Sequence, residues 1–170
     1  MAINNDPDIH QNVICANIFV RKDDKYMLIR RSPLKKWLPN TLHPIGGKVE
    51  LNENPYIAAQ REVWEEAGVK VKNMKLEAVI LEISPVKGDP TNWLIFHFTA
   101  DYESGEVKQS EEGVFEWHTV EEIKKDKLFP SVRATIDHIL NKNDGTVFAT
   151  IKYDDEKQNI VEIKKDLCTV

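Results

Sequence analysis

Residues 47–69 read GKVELNENPYIAAQREVWEEAGV, and the reading of this stretch decides the fold. Asn54 suits a helix N-cap, Pro55 the first helical position and Gly68 the position just past the end. The spacing therefore predicts a helix over Pro55 to Ala67. At 100° per residue, Ala59, Val63, Tyr56 and Ala67 share one arc, expected to face the core, with Ile57 and Trp64 at its edges. Glu62, Glu65 and Glu66 fall together on another side, at positions i, i+3 and i+4, so their carboxylates are neighbours.

That placement is unfavourable for a helix. Like charges at these spacings each cost roughly 0.2–0.5 kcal/mol. Glu65 and Glu66 also sit in the last turn, where the helix dipole disfavours an exposed anion by roughly 0.3–1 kcal/mol. Arg61 supplies one compensating charge. A hard divalent cation balances the remainder, since Mg²⁺ takes one or two carboxylates together with water and substrate phosphates. Three Glu alone describe a solvated acidic face; the preceding Gly46-Gly47 adds a backbone that can pass close to a ligand or helix end.

Gly47, five residues, Glu53, seven residues, then Arg61-Glu62-Val63-Trp64-Glu65-Glu66-Ala67-Gly68-Val69 resembles the complete signature of the Nudix hydrolases, MutT-like proteins included. All nine specified positions are filled over 23 residues. The resemblance implies an α/β fold, a Nudix-type α/β/α sandwich with a mixed β-sheet, in which residues 47–69 form loop–helix–loop. It also implies hydrolysis of a nucleoside diphosphate linked to another group, with Mg²⁺ or Mn²⁺ as cofactor. By this analogy Glu62, Glu65 and Glu66 hold the metal, one of them a candidate base. Glu53 and Arg61 orient the site, and Gly47 contributes through its backbone.

Three positions depart from the common pattern. Leu42 and Ile45 stand where many members have Trp and Pro, and Asn52 stands where many have Gly. Asn tolerates the left-handed conformation, so the turn at Asn52 should survive. None of the three removes a metal ligand; they bear on substrate fit.

A second acid from outside the helix often completes such sites; Glu112 is the candidate, with Glu111 next, against the alternative of a polar loop. Lys48 and Arg30 are candidates to reach phosphate or to lie on a solvated surface. His43, just before the Gly pair, is a candidate for a base or phosphate contact. His97 alternates with apolar neighbours as a satisfied sheet residue would, and His118 and His138 read as structural. Trp37, Trp93 and Phe96 are available for base stacking or for the core.

Outward from the signature, the chain alternates strands and helices. Asn12 to Val20 and Tyr26 to Arg31 read as a hairpin around Lys22-Asp23-Asp24-Lys25, followed by a loop with Pro33, Pro39 and Pro44. Leu76 to Ser84, Trp93 to Asp101 and Gly113 to His118 read as strands. Thr119 with Glu122 forms a capping box, a helix follows over Pro130 to Asn141, and Thr146 to Tyr153 with Ile160 to Lys164 suggest a final hairpin. A mixed sheet covered by helices is expected, in one domain over 1–170 with a loose arm at 1–11.

The 170 residues are 41% hydrophobic and 30% charged, ordinary for a globular domain large enough to bury a core. With 23 Lys and Arg against 28 Asp and Glu, the net charge of −5 argues against a phosphate-backbone binder, so no long nucleic acid is expected. Apolar runs such as Ala78 to Leu81 fall far short of the ~20 residues of a membrane helix, and Met1 to His10 lacks an apolar signal-peptide core. Cys15 and Cys168 have no metal or redox spacing, and Cys15 reads as a small core residue. The expectations are a cytoplasmic location, no membrane, and a monomer or homodimer acting on a small-molecule nucleotide.

The favoured activity is (d)NTP pyrophosphohydrolysis, oxidised purines included, giving a monophosphate and pyrophosphate. The alternative is an ADP-ribose or nucleotide-sugar pyrophosphatase. Such enzymes often carry an N-terminal sheet domain, for which the dozen or so residues before the first strand leave little room. A non-catalytic Nudix-fold binding module is disfavoured by the intact acidic triplet.

Overall fold

The computed structural model describes residues 12–36, 38–108, 112–141, 144–154, 156 and 159–169. The expected arm at 1–11 and the candidates Trp37 and Glu111 lie outside the described residues. Strands β1 (Asn12–Lys22) and β2 (Lys25–Arg31) form the predicted hairpin, with Lys22 opposite Lys25. The segment expected to be loop contains two short strands, β3 (Leu42–His43) and β4 (Ile45–Lys48). They are followed by α1 (Pro55–Glu62), β5 (Val69–Ile83), β6 (Asn92–Gly105) and β7 (Gly113–Thr119). Helices α2 (Val120–Lys125) and α3 (Pro130–Leu140) and strands β8 (Thr146–Tyr153) and β9 (Ile160–Cys168) complete the order.

The sheet is mixed, as expected, in the order β3-β2-β1-β6-β5-β8-β9, with β4 joined to β1 and β7 to β2. β1 runs parallel to β6 and β5 parallel to β8; the other pairings are antiparallel. One edge of β1 serves two strands: residues 15–18 pair with β4 and residues 20–22 with β2.

β1 is buried on both faces, which is why it reads as a nearly continuous apolar run. Ala16, Ile18 and Val20 pack with Ala58, Ala59 and Val63 of the signature segment. Phe19, on the opposite face, packs with Ile123, Val132 and Ile136 of α2 and α3. Ile18 and Phe19 are both fully buried, each contributing about 1.5–3 kcal/mol of apolar transfer. Helices therefore cover both faces, an α/β/α sandwich. Among the described residues no helix is long and apolar enough to cross a membrane.

The signature helix follows its expected caps. Asn54 accepts from the backbone N–H of Tyr56 at 3.0 Å and of Ile57 at 3.1 Å, worth about 1 kcal/mol. Gly68 closes the helix at φ 71°, and Asn52 adopts φ 70° in the turn before it.

Two expectations are corrected. The α-helix ends at Glu62, and Val63–Ala67 form a π-helical turn, so the 100° phase does not extend to the end. Tyr56 is 45% exposed, edge-on to Phe98, and Ala58 takes its place in the core. Small residues at Ala58 and Ala59 let the helix approach β1 closely; a ring at that contact would hold it away.

β5 begins seven residues earlier than expected. Its first four residues, Val-Lys-Val-Lys, alternate as a half-exposed strand should, but β-bulges interrupt its pairing with β6, and Asn73 sits at φ 53°. The capping box at Thr119 and Glu122 forms as expected, as does the β8–β9 hairpin. Cys15 is buried among apolar side chains, and burial pushes its thiol up to about 11, so it behaves as core.

Candidate active site

The acids Glu53, Glu62 and Glu65 of the signature segment are organised by a single guanidinium. Arg61 donates through Nε and Nη2 to Glu53, at 3.2 and 2.7 Å, and through Nη1 to Glu62 and Glu65, each at 3.0 Å. Its Nη2 also donates to the backbone carbonyl of Lys48 at 3.2 Å, which ties the helix to the end of β4. The carboxylates hold the Arg61 pKa above its ordinary value. Hydrogen bonds from Arg61 and the Glu50 backbone hold Glu53 below the usual carboxylate range.

Glu62 and Glu66 are withdrawn from water. Burial pushes Glu62 up, against the pull of Arg61. Glu66 is raised to about 7, by burial first and then by the like charges of Glu62 and Glu112, while the Gly46 backbone N–H acts in the opposite sense. Glu112 thus lies within electrostatic reach of Glu66 and is paired to Lys35 at 2.6 Å. Glu65 is more than half exposed.

Among the described residues no three His, Cys, Asp or Glu side chains converge closely enough to ligate a cation as they stand. The donor set nonetheless fits a hard divalent ion. It offers carboxylate oxygens, of which Glu62 and Glu66 sit in poorly hydrated surroundings beside other acids. It also has a backbone cradle: a Cβ on Gly47 would stand 2.5 Å from Glu62 Oε1, so only glycine leaves room for that carboxylate.

The other face of β4 borders a cleft. In the β1–β4 ladder Gly47 lies opposite Ala16, whose face packs on α1, whereas Gly46 lies opposite Asn17, whose face looks toward α3. A Cβ on Gly46 would meet Asn17 Oδ1 at 2.6 Å. The cleft on this side has a volume of about 280 Å³, and both glycines line it.

Lys48 and His43 line this cleft. Burial, aided by the nearby Arg31 cation, lowers the His43 pKa to about 4, and the ring lies 4.4 Å from that of Phe129. In its neutral state the imidazole can hydrogen-bond a base or a phosphate oxygen.

Arg30 is not among the cleft-lining residues. It is ion-paired to Asp126 at 2.8 Å and to Glu116 at 3.0 Å, which hold its charge firmly. Arg31, one residue on and facing the other way, lines the cleft instead, over the Phe129 ring at 5.4 Å. Its Nε is buried and has no acceptor among the described residues.

Sequence reasoning missed Arg31, Asn17 and Glu82, all cleft residues. Strand alternation could have separated Arg30 from Arg31 had the register with β7 been known. His97 is a satisfied sheet residue, as expected, but it also orients Asn17. Asn17 Nδ2 lies 3.3 Å from His97 Nε2, His97 Nδ1 lies 3.3 Å from Thr135 Oγ1, and the Thr135 hydroxyl donates to the Ser131 carbonyl at 2.9 Å. The amide N–H donates, so His97 accepts at Nε2 and carries its proton on Nδ1. His118 and His138 bond Glu116 and the Gly145 carbonyl as structural residues. Trp93 lines the cleft, and Phe96 packs on the α1 side of the sheet.

A family model described as the NUDIX domain matches residues 9–139. The chain is 31% identical to the Nudix hydrolase YvcI of Bacillus subtilis over 144 residues, covering 83% of this chain and 87% of that protein. It is 31% identical to a MutT-like protein of Streptomyces ambofaciens, covering 70% of each. Among solved structures, the MutT protein from Bacillus halodurans superposes with a TM-score of 0.78 at 25% identity, covering 91% of this chain and 97% of that one. The β8–β9 hairpin lies beyond residue 139 yet extends the same sheet through β5.

Proposed function

The chain belongs to the Nudix hydrolases, and on that premise we propose that it hydrolyses nucleoside triphosphates to a monophosphate and pyrophosphate. The observation that carries this reading is the Gly46-Gly47 strand, with the acids of the signature against one face and the cleft along the other. A nucleotide lying across this strand has its base in the cleft and its phosphates at the acids. At about 280 Å³ the cleft is small for a ligand pocket, which suits one nucleoside rather than the two end groups of ADP-ribose or a nucleotide sugar.

In this reading Glu62, Glu65 and Glu66 hold Mg²⁺ or Mn²⁺, with the Gly47 backbone beside them. A divalent ion bound there neutralises phosphoryl oxygens and lowers the pKa of water. Glu53 fixes Arg61, and Arg61 in turn fixes the carboxylates of Glu62 and Glu65. Glu112 adds negative charge near Glu66. Lys48 and Arg31 supply positive charge along the cleft toward the phosphates.

The test is Mg²⁺-dependent hydrolysis of a panel holding common and 8-oxo (d)NTPs, ADP-ribose and UDP-glucose, with products separated by chromatography. The expected result is preference for a triphosphate, with Glu65→Gln and Glu66→Gln lowering turnover by roughly 10²–10⁴-fold while folding normally. Full activity in either variant overturns its assignment. Preference for ADP-ribose or UDP-glucose replaces the triphosphate reading with a pyrophosphatase of that class.

A further inference from the structure

Glu82 has no part in the hydrolytic reading. It lies near the end of β5, opposite Trp93 in the β5–β6 ladder, and is 3% exposed while lining the cleft. Burying a carboxylate costs several kcal/mol unless charged partners offset it. Among the described residues no Lys, Arg or His forms an ion pair with Glu82. Its partners are two neutral hydroxyls: Tyr153 donates to Oε1 at 2.9 Å, and Ser131 hydrogen-bonds to the same carboxyl group. A carboxylate has about four acceptor sites, so two donors leave capacity for more.

A second observation points independently to a ligand in the same place. The buried Nε–H of Arg31, on the cleft wall, has no acceptor among the described residues. The cleft thus combines an acceptor without a cation, a donor without an acceptor, and the indole of Trp93. The chain Thr135–His97–Asn17 holds a further polar side chain of the wall in one orientation.

Guanine matches this combination. Its N1–H and 2-amino group are adjacent donors that a carboxylate accepts side by side, and its C6 carbonyl, next to them, is an acceptor. Adenine and cytosine set one amino donor beside an unprotonated ring nitrogen, which repels a carboxylate. Uracil offers a single N–H between two carbonyls. We propose that Glu82 reads the N1–H and 2-amino edge of guanine, which makes guanine nucleotides the substrate class of this site. The inference rests on the reading that the cleft seats the base of the hydrolysed nucleotide.

The test is calorimetric binding of GMP, IMP and AMP to the full chain, which does not depend on turnover. Wild type should bind GMP at least about tenfold more tightly than AMP, with IMP between, since hydrogen bonds to a charged acceptor typically carry that much discrimination. Glu82→Gln should bring GMP and AMP within about threefold by weakening GMP alone. Tyr153→Phe, which keeps the carboxylate, should preserve the order and so serves if Glu82→Gln fails to fold. Equal or tighter binding of AMP by wild type, no detectable GMP binding, or an unchanged ratio in folded Glu82→Gln overturns the proposal. Guanine-selective binding without triphosphate hydrolysis overturns the proposed reaction and leaves this inference standing; hydrolysis indifferent to the base does the reverse.

Discussion

Gly47 and Glu62 are in contact: a Cβ at position 47 would lie 2.5 Å from Oε1 and 2.8 Å from the carboxyl carbon of Glu62. The strand beside the cleft and the acidic helix therefore meet with no side chain between them. Arg61 reinforces this junction by bonding both Glu62 and the Lys48 carbonyl.

Gly47→Ala should displace the Glu62 carboxylate and leave the β1–β4 ladder intact, because what stands in the way is a side-chain end. The expected outcome is a loss of kcat/KM on the order of 10²-fold with a small change in Tm, reflecting misplacement of a positioned group. Steady-state kinetics together with thermal melts check it.

The acids should burden the fold until a cation joins them. Glu66 sits beside Glu62 and Glu112, so Glu66→Gln removes like-charge repulsion and should leave Tm equal to or above that of wild type without metal. Mg²⁺ or Mn²⁺ should raise the wild-type Tm by preferential binding to the folded state, about 2.7 kcal/mol at a hundredfold excess over Kd. The same addition should raise the Glu66→Gln Tm much less. Calorimetric melts with and without metal decide this independently of turnover.

Arg30 and Arg31 should separate stability from binding. Arg30→Ala breaks two ion pairs and should lower Tm with little change in KM. Arg31→Ala removes the cleft-facing cation and should raise KM on the order of tenfold, with a smaller effect on Tm. The reversed pattern would put Arg30, not Arg31, on the cleft face of β2.

The two buried histidines should cost stability on the acid side of neutrality. Burial lowers His97 to about 3 and His43 to about 4, whereas an unfolded histidine titrates near 6.5. Between those values the unfolded chain binds protons that the folded chain does not. The stabilisation is therefore complete above about pH 6.5 and declines as pH falls toward 4. Glu66, raised to about 7, acts in the opposite sense over the same range, so the histidine contribution is read as a difference: the Tm of wild type should fall relative to that of His97→Gln between pH 7.5 and 4.5.

Much of the signature segment was legible because its determinants are local. Asn54, Pro55 and Gly68 act on backbone groups within four residues of themselves, and each does so as read. Asn52 accepts its left-handed turn for the same reason. Tyr56 was misjudged because a helical arc ranks positions by angle, whereas the distance to β1 selected alanines over a ring. The same arc could not anticipate the π-helical turn, which shifts the phase after Glu62.

By itself the sequence determined the family, the caps, most of the strands and the acids of the signature segment, since spacing over a few residues specifies each of these. Tertiary structure alone decided the cleft. Asn17, Arg31, Glu82 and Trp93 come from four strands, and pairing register selects the face each presents. A one-residue slip in β2 would exchange Arg30 for Arg31, because alternate side chains point to opposite faces. Register is set by long-range packing on both sides of the sheet, and no short stretch of sequence carries it.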